Sequence, residues 1–89
     1  MRAVITVVGK DKIGIIASVT TMLTEKNINI LDISQTILQD FFTMVMIVDT
    51  SKSTMKFEEI REALKYQGQK LDLSIRIQHE DIFNSMHTI

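Results

Sequence analysis

The chain has 89 residues, which is enough for one small domain with a single hydrophobic core. It contains no cysteine, so a disulfide framework and a thiolate metal site are both excluded. A formal net charge of −1 provides no basic surface for nucleic acid or for an anionic membrane. No apolar run approaches the roughly 20 residues of a membrane-spanning helix, and no signal-peptide pattern is present, so we expect a cytoplasmic protein.

The first half of the chain predicts a strand followed by a helix. The continuous β-branched run over residues 3–8 is typical of a strand that is buried on both faces. Asp11 offers an N-cap oxygen, and Ile16, Val19 and Leu23 then recur at helical spacing. The helix is expected to stop near residue 26, because Asn27 tolerates the left-handed conformation that ends a helix.

The next segment, residues 28–38, predicts an extended strand with an irregularity. Ile28 and Ile30 are expected to point to one face of the strand, and Leu31, Ile33 and Ile37 to the other. A phase shift of this kind indicates a β-bulge. After the polar break at residues 39–40, the apolar run over residues 41–48 predicts the second strand of a hairpin.

The second half predicts a helix, a strand and a short tail. Ser53 or Thr54 is the expected N-cap of the helix, and Gly68 is expected to end it. The apolar stripe of the helix consists of Phe57, Ile60 and Leu64. Residues 71–77 alternate cleanly, with apolar residues inward, and predict the last strand. Residues 80–89 carry a short amphipathic helix pattern, which we assign to a C-terminal helical tail outside a domain that spans residues 1–79.

The order β-α-β-β-α-β predicts an α+β fold, the ferredoxin-like sandwich, with a four-stranded antiparallel sheet and two helices on one face. The first and third strands are central in this arrangement, and both are apolar on the second face as well. Either the C-terminal tail or a second subunit is therefore expected to cover that face.

The glycine-bracketed loop after the first strand favours none of three known chemistries. A phosphate-binding loop requires Lys and Ser or Thr where this chain has Ile15 and Ile16. RNA binding on this fold requires exposed aromatic residues on both central strands, and the first strand has none. Acylphosphatase-like catalysis depends on an arginine in the loop, which here carries only Lys10 and Lys12.

Backbone donors remain as the distinctive property of this loop. A helix N-terminus presents unpaired N–H groups suited to a carboxylate, and Gly14, taken as lying one step inside the helix, leaves the backbone open to close approach. If the second strand lies near the loop, the Asn29 amide can bind the amino end of the same molecule. The same residues also fit a tight turn and a solvated Asn29 with no ligand.

The stretch over residues 7–35 resembles the signature of the ACT domain family. The matching residues are Asp11, Lys12, Gly14, Ala17, Val19, Leu23, Ile28, Asn29 and Ile30. Two positions depart from the pattern: Ile13 stands where the family often has proline, and Asn27 where it has glycine. The chain is most similar to small single-domain ACT proteins and also to the first half of the glycine cleavage system transcriptional repressor.

The resemblance implies a regulatory module rather than an enzyme, with no cofactor. ACT domains usually work as homodimers that hold a small amino acid or related carboxylate at the subunit interface and signal to a partner protein. The predicted ligand-binding residues are Gly9, Lys10, Asp11, Lys12, Ile13, Gly14 and Asn29. The alternative is a ligand-free dimerisation or adaptor module.

Two histidines near the C-terminus do not predict a metal site. His79 and His87 stand eight residues apart with no third ordered ligand, so both are expected to be solvated tail residues. No Ser-His-Asp set or carboxylate pair has a spacing that indicates one catalytic pocket.

Overall fold

The computed structural model describes residues 1–10 and 14–86, which form one antiparallel sheet and three helices. The strands are β1 (Arg2–Lys10), β2 (Asn29–Leu38), β3 (Phe41–Asp49) and β4 (Ser74–His79), and the helices are α1 (Ile15–Glu25), α2 (Phe57–Leu71) and α3 (Glu80–Met86). The strand order is β2-β3-β1-β4. The ferredoxin-like prediction is confirmed, with β1 and β3 at the centre.

The core lies between the sheet and helices α1 and α2. Alternate residues of β1 point into it, and Ala3, Ile5 and Val7 are fully buried there. Their partners on β3 are Val48, Met46 and Met44, and all three are equally inaccessible. The helices contribute Ile15, Val19, Met22, Leu23, Ile60 and Leu64. The helical stripe of α1 therefore starts at Ile15, whereas Ile16 lies outside it and is exposed.

Helix α1 begins differently from the prediction. Its N-cap is Gly14, with a left-handed backbone at φ 86°, so Gly14 precedes the helix and does not lie inside it. The predicted N-cap, Asp11, lies outside the described residues. The end of the helix is as predicted: α1 stops at Glu25, and Asn27 adopts φ 57°.

Helix α2 is displaced from the prediction at both ends. Its N-cap is Lys56, whose backbone N–H donates to the Glu59 carboxylate at 2.7 Å, so Ser53 and Thr54 lie before the helix. The helix continues through Gly68 and ends at Leu71, because the left-handed residue is Asp72, at φ 59°. Leu71 was predicted to belong to the last strand and instead closes the helix.

The predicted bulge in β2 is confirmed and has a consequence for the side chains. The pairing of β2 with β3 shifts register between Ile30 and Asp32. Beyond the shift, Ile33 pairs with Met46, and Ile37 pairs in the same way with a core-facing residue of β3. The prediction that Ile33 and Ile37 face away from Ile30 is therefore wrong, since the bulge returns them to the helix side of the sheet.

The C-terminal helix α3 lies against one end of the opposite face, here called the outer face. It contacts β1 and β4, and the Glu80 carboxylate pairs with the Arg2 guanidinium at 3.0 Å. Val4, next along β1 on the outer face, is only 3% exposed. Farther from α3, Val8, Val45 and Ile47 are only half-buried. β4 ends at His79 and α3 begins at Glu80.

Candidate functional site

The predicted loop site starts where β1 ends. Gly9 is buried, and a Cβ at this position would collide with the Leu73 side chain, so the glycine allows β1 to pack against the residue before β4. Lys10 is exposed and pairs in register with Phe41, an exposed aromatic residue at the start of β3. Gly9, Lys10 and Phe41 line one side of a cavity of about 600 Å³, here called the loop-end cavity. Sequence reasoning missed Phe41 as part of this site.

The N-terminus of α1 lies at the same end of the sheet, and its first backbone N–H groups point away from the helix. Gly14 has no side chain to cap the helix, and a Cβ built on it would meet nothing within 4 Å. The first intrahelical bond runs from the Ser18 N–H to the Gly14 carbonyl at 2.9 Å, so the N–H groups of the preceding turn have no helical acceptor. The first turn carries no acidic residue, and the partial positive charge of the helix end favours an anion there. The other predicted residues, Asp11, Lys12 and Ile13, lie outside the described residues.

Asn29 lies in a second, separate cavity. It is exposed at the start of β2 and lines a space of about 490 Å³ together with Thr24, Asn27 and Lys52. The amide of Asn29, the hydroxyl of Thr24 and the ammonium group of Lys52 supply both donors and acceptors. Lys52 was missed by sequence reasoning, because it belongs to the turn after β3 and not to the loop or to β2.

Asp49 holds the turn that carries Lys52. Its carboxylate accepts a hydrogen bond from the Ser51 backbone N–H at 2.9 Å and lies 3.2 Å from the N-terminal ammonium group of Met1. These contacts, with the Ser51 hydrogen bonds as the largest cause, lower the pKa of Asp49 from 3.8 to about 2. The carboxylate is therefore ionised across the physiological range.

The two cavities lie at opposite ends of the sheet. Lys10 pairs with Phe41, and Phe41 pairs with Leu38, so the loop lies at the same end of the sheet as the C-terminal end of β2, with β3 between them. Asn29 starts β2 and is nine residues, or about 30 Å of strand, from that end. Helix α1 carries the chain from one end of the sheet back to the other. The condition that the second strand lies near the loop is therefore not met within one chain, and a small ligand that contacts both Gly14 and Asn29 must lie between two chains.

Apolar side chains are exposed along the free edge of β2. Leu31, Ile33 and Ile37 are 47%, 37% and 66% exposed, and Ile16 and Phe41 add further apolar surface at the loop end. An exposed apolar edge strand is an open template for pairing with another chain, and soluble proteins rarely leave one uncovered. We define Leu31, Ile33 and Ile37 as the β2 edge patch.

The histidine that falls within the described residues has a structural role. The His79 ring stacks on Phe57 with the ring centroids 4.0 Å apart and an interplanar angle of 15°, so the prediction of a solvated tail residue is wrong for His79. His87 lies outside the described residues. Within residues 1–10 and 14–86, no three His, Cys, Asp or Glu side chains are grouped to hold a metal ion. In the same part of the chain, every helix is too short or too polar to cross a membrane.

The sequence as a whole matches one known family. The profile of the ACT domain matches residues 2–78, which include every strand but the last residue of β4. This chain belongs to the ACT domain family. ACT domains as a class are regulatory rather than catalytic, and they generally bind amino acids.

Relatives of this ACT domain match most or all of its length. A UPF0237 protein of Clostridium acetobutylicum is 55% identical over 89 residues, which is 100% of both chains. The solved structure of an ACT domain protein from Streptococcus pneumoniae superposes with a TM-score of 0.84 at 46% identity and covers 93% of each chain. A putative glycine cleavage system transcriptional repressor superposes with a TM-score of 0.75 at 30% identity, over 86% of this chain and 44% of that one. These matches confirm both resemblances drawn from the sequence.

Proposed function

We propose that this ACT domain forms a homodimer through the free edges of β2 and binds a small amino acid or related carboxylate between the two subunits. In the proposed site, the loop end of one subunit meets Asn29 of the partner subunit. The bound state is then passed to another protein. The observation that carries this proposal is the separation of the loop from Asn29 by the full length of β2.

The β2 edge patch supports the choice of interface. A twofold axis through the middle of β2, perpendicular to the sheet, pairs the strand antiparallel with its own copy. Ile33 then lies close to its symmetry mate, and the exposed side chain of Ile37 is covered by the partner. The backbone groups on the open edge gain hydrogen-bond partners, and the two sheets become one sheet of eight strands.

The same axis brings Asn29 of the partner subunit to the loop end of this chain. Antiparallel pairing places the start of the partner's β2 beside the end of this chain's β2, at the same end of the sheet as the loop. The N–H groups at the start of α1 suit the ligand carboxylate, and Asn29 of the partner subunit suits its amino group. Because Asn29 stands on the outer face of the sheet, the ligand would lie across the strand ends of the joined sheet and not above the helices.

A ligand-free dimerisation module is the second candidate, and specific observations favour it. Gly9 is explained by its packing against Leu73, and Gly14 by its left-handed backbone, so neither glycine requires a ligand. The β2 edge patch serves this function equally well. The two candidates therefore share the same dimer. They differ in whether an amino acid occupies the composite site, which is the proposed site between the loop of one subunit and Asn29 of the partner subunit.

A subunit-mixing experiment tests the proposal. Gly14→Asn keeps a residue that tolerates the left-handed backbone and fills the open space beside it, whereas Asn29→Ala removes the amide. Each variant alone is expected to lose binding of the small amino acids, such as glycine and serine, in calorimetry and thermal melting. In the wild type, ten times the Kd of ligand should add about 1.4 kcal/mol of stability, which is several degrees in the melting temperature.

Mixing the two variants is the decisive step. Each mixed dimer contains one site with both residues intact, since the wild-type loop of one chain faces the wild-type Asn29 of the other. Random exchange makes half of the dimers mixed, so binding should return at about a quarter of the wild-type site number. Loss in both variants with no recovery on mixing would place the site within one chain. If no amino acid binds the wild type, the dimerisation module becomes the function.

A further inference from the structure

The second edge of the sheet, β4, forms a groove with the flank of α2. Among the described residues, β4 pairs with β1 only, so every second residue of β4 presents its backbone N–H and C=O outward. Beside this open edge lies a cavity of about 500 Å³, lined on the helix side by Arg61, Lys65 and Gln69. Its floor includes the buried side chains of Leu73 and Ile75. We call this feature the β4 groove.

The charged residues that line the β4 groove are all cations. Arg61 and Lys65 stand on the helix side, and Arg76 stands at the strand edge on the outer face. Arg61 is paired with Glu58 at 3.0 Å, but the Glu58 side chain is 72% exposed. An ion pair this open to water is weak and can exchange for another carboxylate. The groove therefore offers cations to an incoming chain on both faces of the sheet edge.

The spacing of the helix residues fits an extended chain. Arg61, Lys65 and Gln69 are four residues apart in sequence, so they rise by about 6 Å per step along one side of α2. Side chains on one face of a β-strand repeat every two residues, or about 6.7 Å. A strand added beside β4 would thus place every second side chain next to one residue of this row.

We propose that the β4 groove binds an extended acidic segment of a partner protein, which adds as a fifth strand beside β4 with alternate carboxylates on Arg61 and Lys65. The proposal rests on the proposed function in one respect, since it names the kind of partner that would receive the signal of the dimer. Backbone hydrogen bonds to β4 supply affinity, and the cations select an acidic sequence. In the proposed dimer the two β4 grooves remain free at the far ends of the joined sheet.

Fluorescence anisotropy with a labelled synthetic peptide, Val-Glu-Val-Glu-Val-Glu-Val, tests the proposal on the wild-type protein. Lys65→Glu is expected to weaken binding about tenfold or more, because it replaces an attractive charge with a repulsive one. The matched control is Lys70→Glu, the same change on the same helix, where the ammonium group instead lies over the Tyr66 ring. That control should change binding by less than about twofold at physiological salt, since separated surface charges are screened.

N-methylated peptides test the strand pairing itself. In a strand, the N–H groups of the glutamates all point to one edge and those of the valines to the other. One of two peptides, methylated either on the glutamate or on the valine nitrogens, must therefore lose binding while the other keeps it. Amide resonances of β4 and α2 should shift in NMR spectra when the unmodified peptide binds.

The proposal is overturned if the acidic peptide does not bind at 1 mM, if the Lys65→Glu and Lys70→Glu variants bind it about equally, or if the NMR shifts are confined to β2. A version of the peptide with lysine for glutamate should not bind, and its binding would equally contradict the role of the cations. None of these readouts depends on amino-acid binding, so a failure here is distinguishable from a failure of the composite site.

Discussion

Gly14→Ala should destabilise the protein, although alanine is the better helix former. Gly14 is the N-cap of α1 and adopts φ 86°, where a Cβ is unfavourable by about 1–2 kcal/mol. The space around it is open, so no steric clash adds to that cost. Alanine also leaves the unfolded chain less conformational freedom than glycine does, and this offsets about 0.4–1 kcal/mol of the cost. The net effect is a loss of about 1 kcal/mol, or about 4–8 °C in the melting temperature of a domain this size.

Thermal unfolding followed by circular dichroism measures this change, at one fixed protein concentration because the melting temperature of the proposed dimer would depend on concentration. Gly14→Asn is the matched control, since asparagine tolerates the left-handed region, and it should lose less than half as much. Asn27→Ala is the positive control, because Asn27 adopts φ 57° at the other end of α1. A Gly14→Ala variant that melts at or above the wild-type temperature would show that the helix begins before Gly14.

Three further predictions follow from single contacts. Ile37→Lys should weaken self-association at least tenfold in sedimentation, whereas Tyr66→Lys, at a similarly exposed position on α2, should leave it unchanged. Asp49 has a lowered pKa, so its stabilising contribution is complete above pH 4 and disappears as the pH falls toward 2. The Asp49→Asn variant should therefore have a lower melting temperature than the wild type at pH 7 and nearly the same melting temperature at pH 2. Gly68→Ala should destabilise the fold in urea titrations by about 1 kcal/mol or more, because its Cβ would lie 2.8 Å from the carbonyl oxygen of Leu73, and an unchanged midpoint would contradict the close contact.

The fold could be predicted from the sequence because its signals are local. The β-branched run of β1, the apolar run of β3 and the left-handed asparagine at position 27 each encode their own geometry. The predicted end of α2 at Gly68 was wrong for a physical reason. A glycine that ends a helix and a glycine that allows a strand to pack closely against the helix cannot be distinguished in the sequence. Ile33 and Ile37 misled because their direction depends on the position of the bulge, which the pairing with β3 fixes.

The candidate site could be predicted only in part, because its geometry is not local. The loop and Asn29 were both identified from the sequence, yet a strand separates them by its whole length. Lys52 reaches the Asn29 cavity through the turn held by Asp49, and no pattern around Lys52 itself indicates this role. When a site is formed by two chains, the spacing of residues within one sequence does not show which of them come together.

The chemical difference between the two sheet edges determines how the proposed dimer can close. The β2 edge carries exposed apolar side chains, so in the proposed dimer a twofold axis would join two copies and use both β2 edges at once. The remaining edges would be the two β4 grooves, and each is lined by the cations Arg61, Lys65 and Arg76. Two such edges would repel one another when brought side by side, so the sheet of the proposed dimer would not extend beyond eight strands. The same charges that prevent a filament of identical chains favour an acidic strand from a different protein.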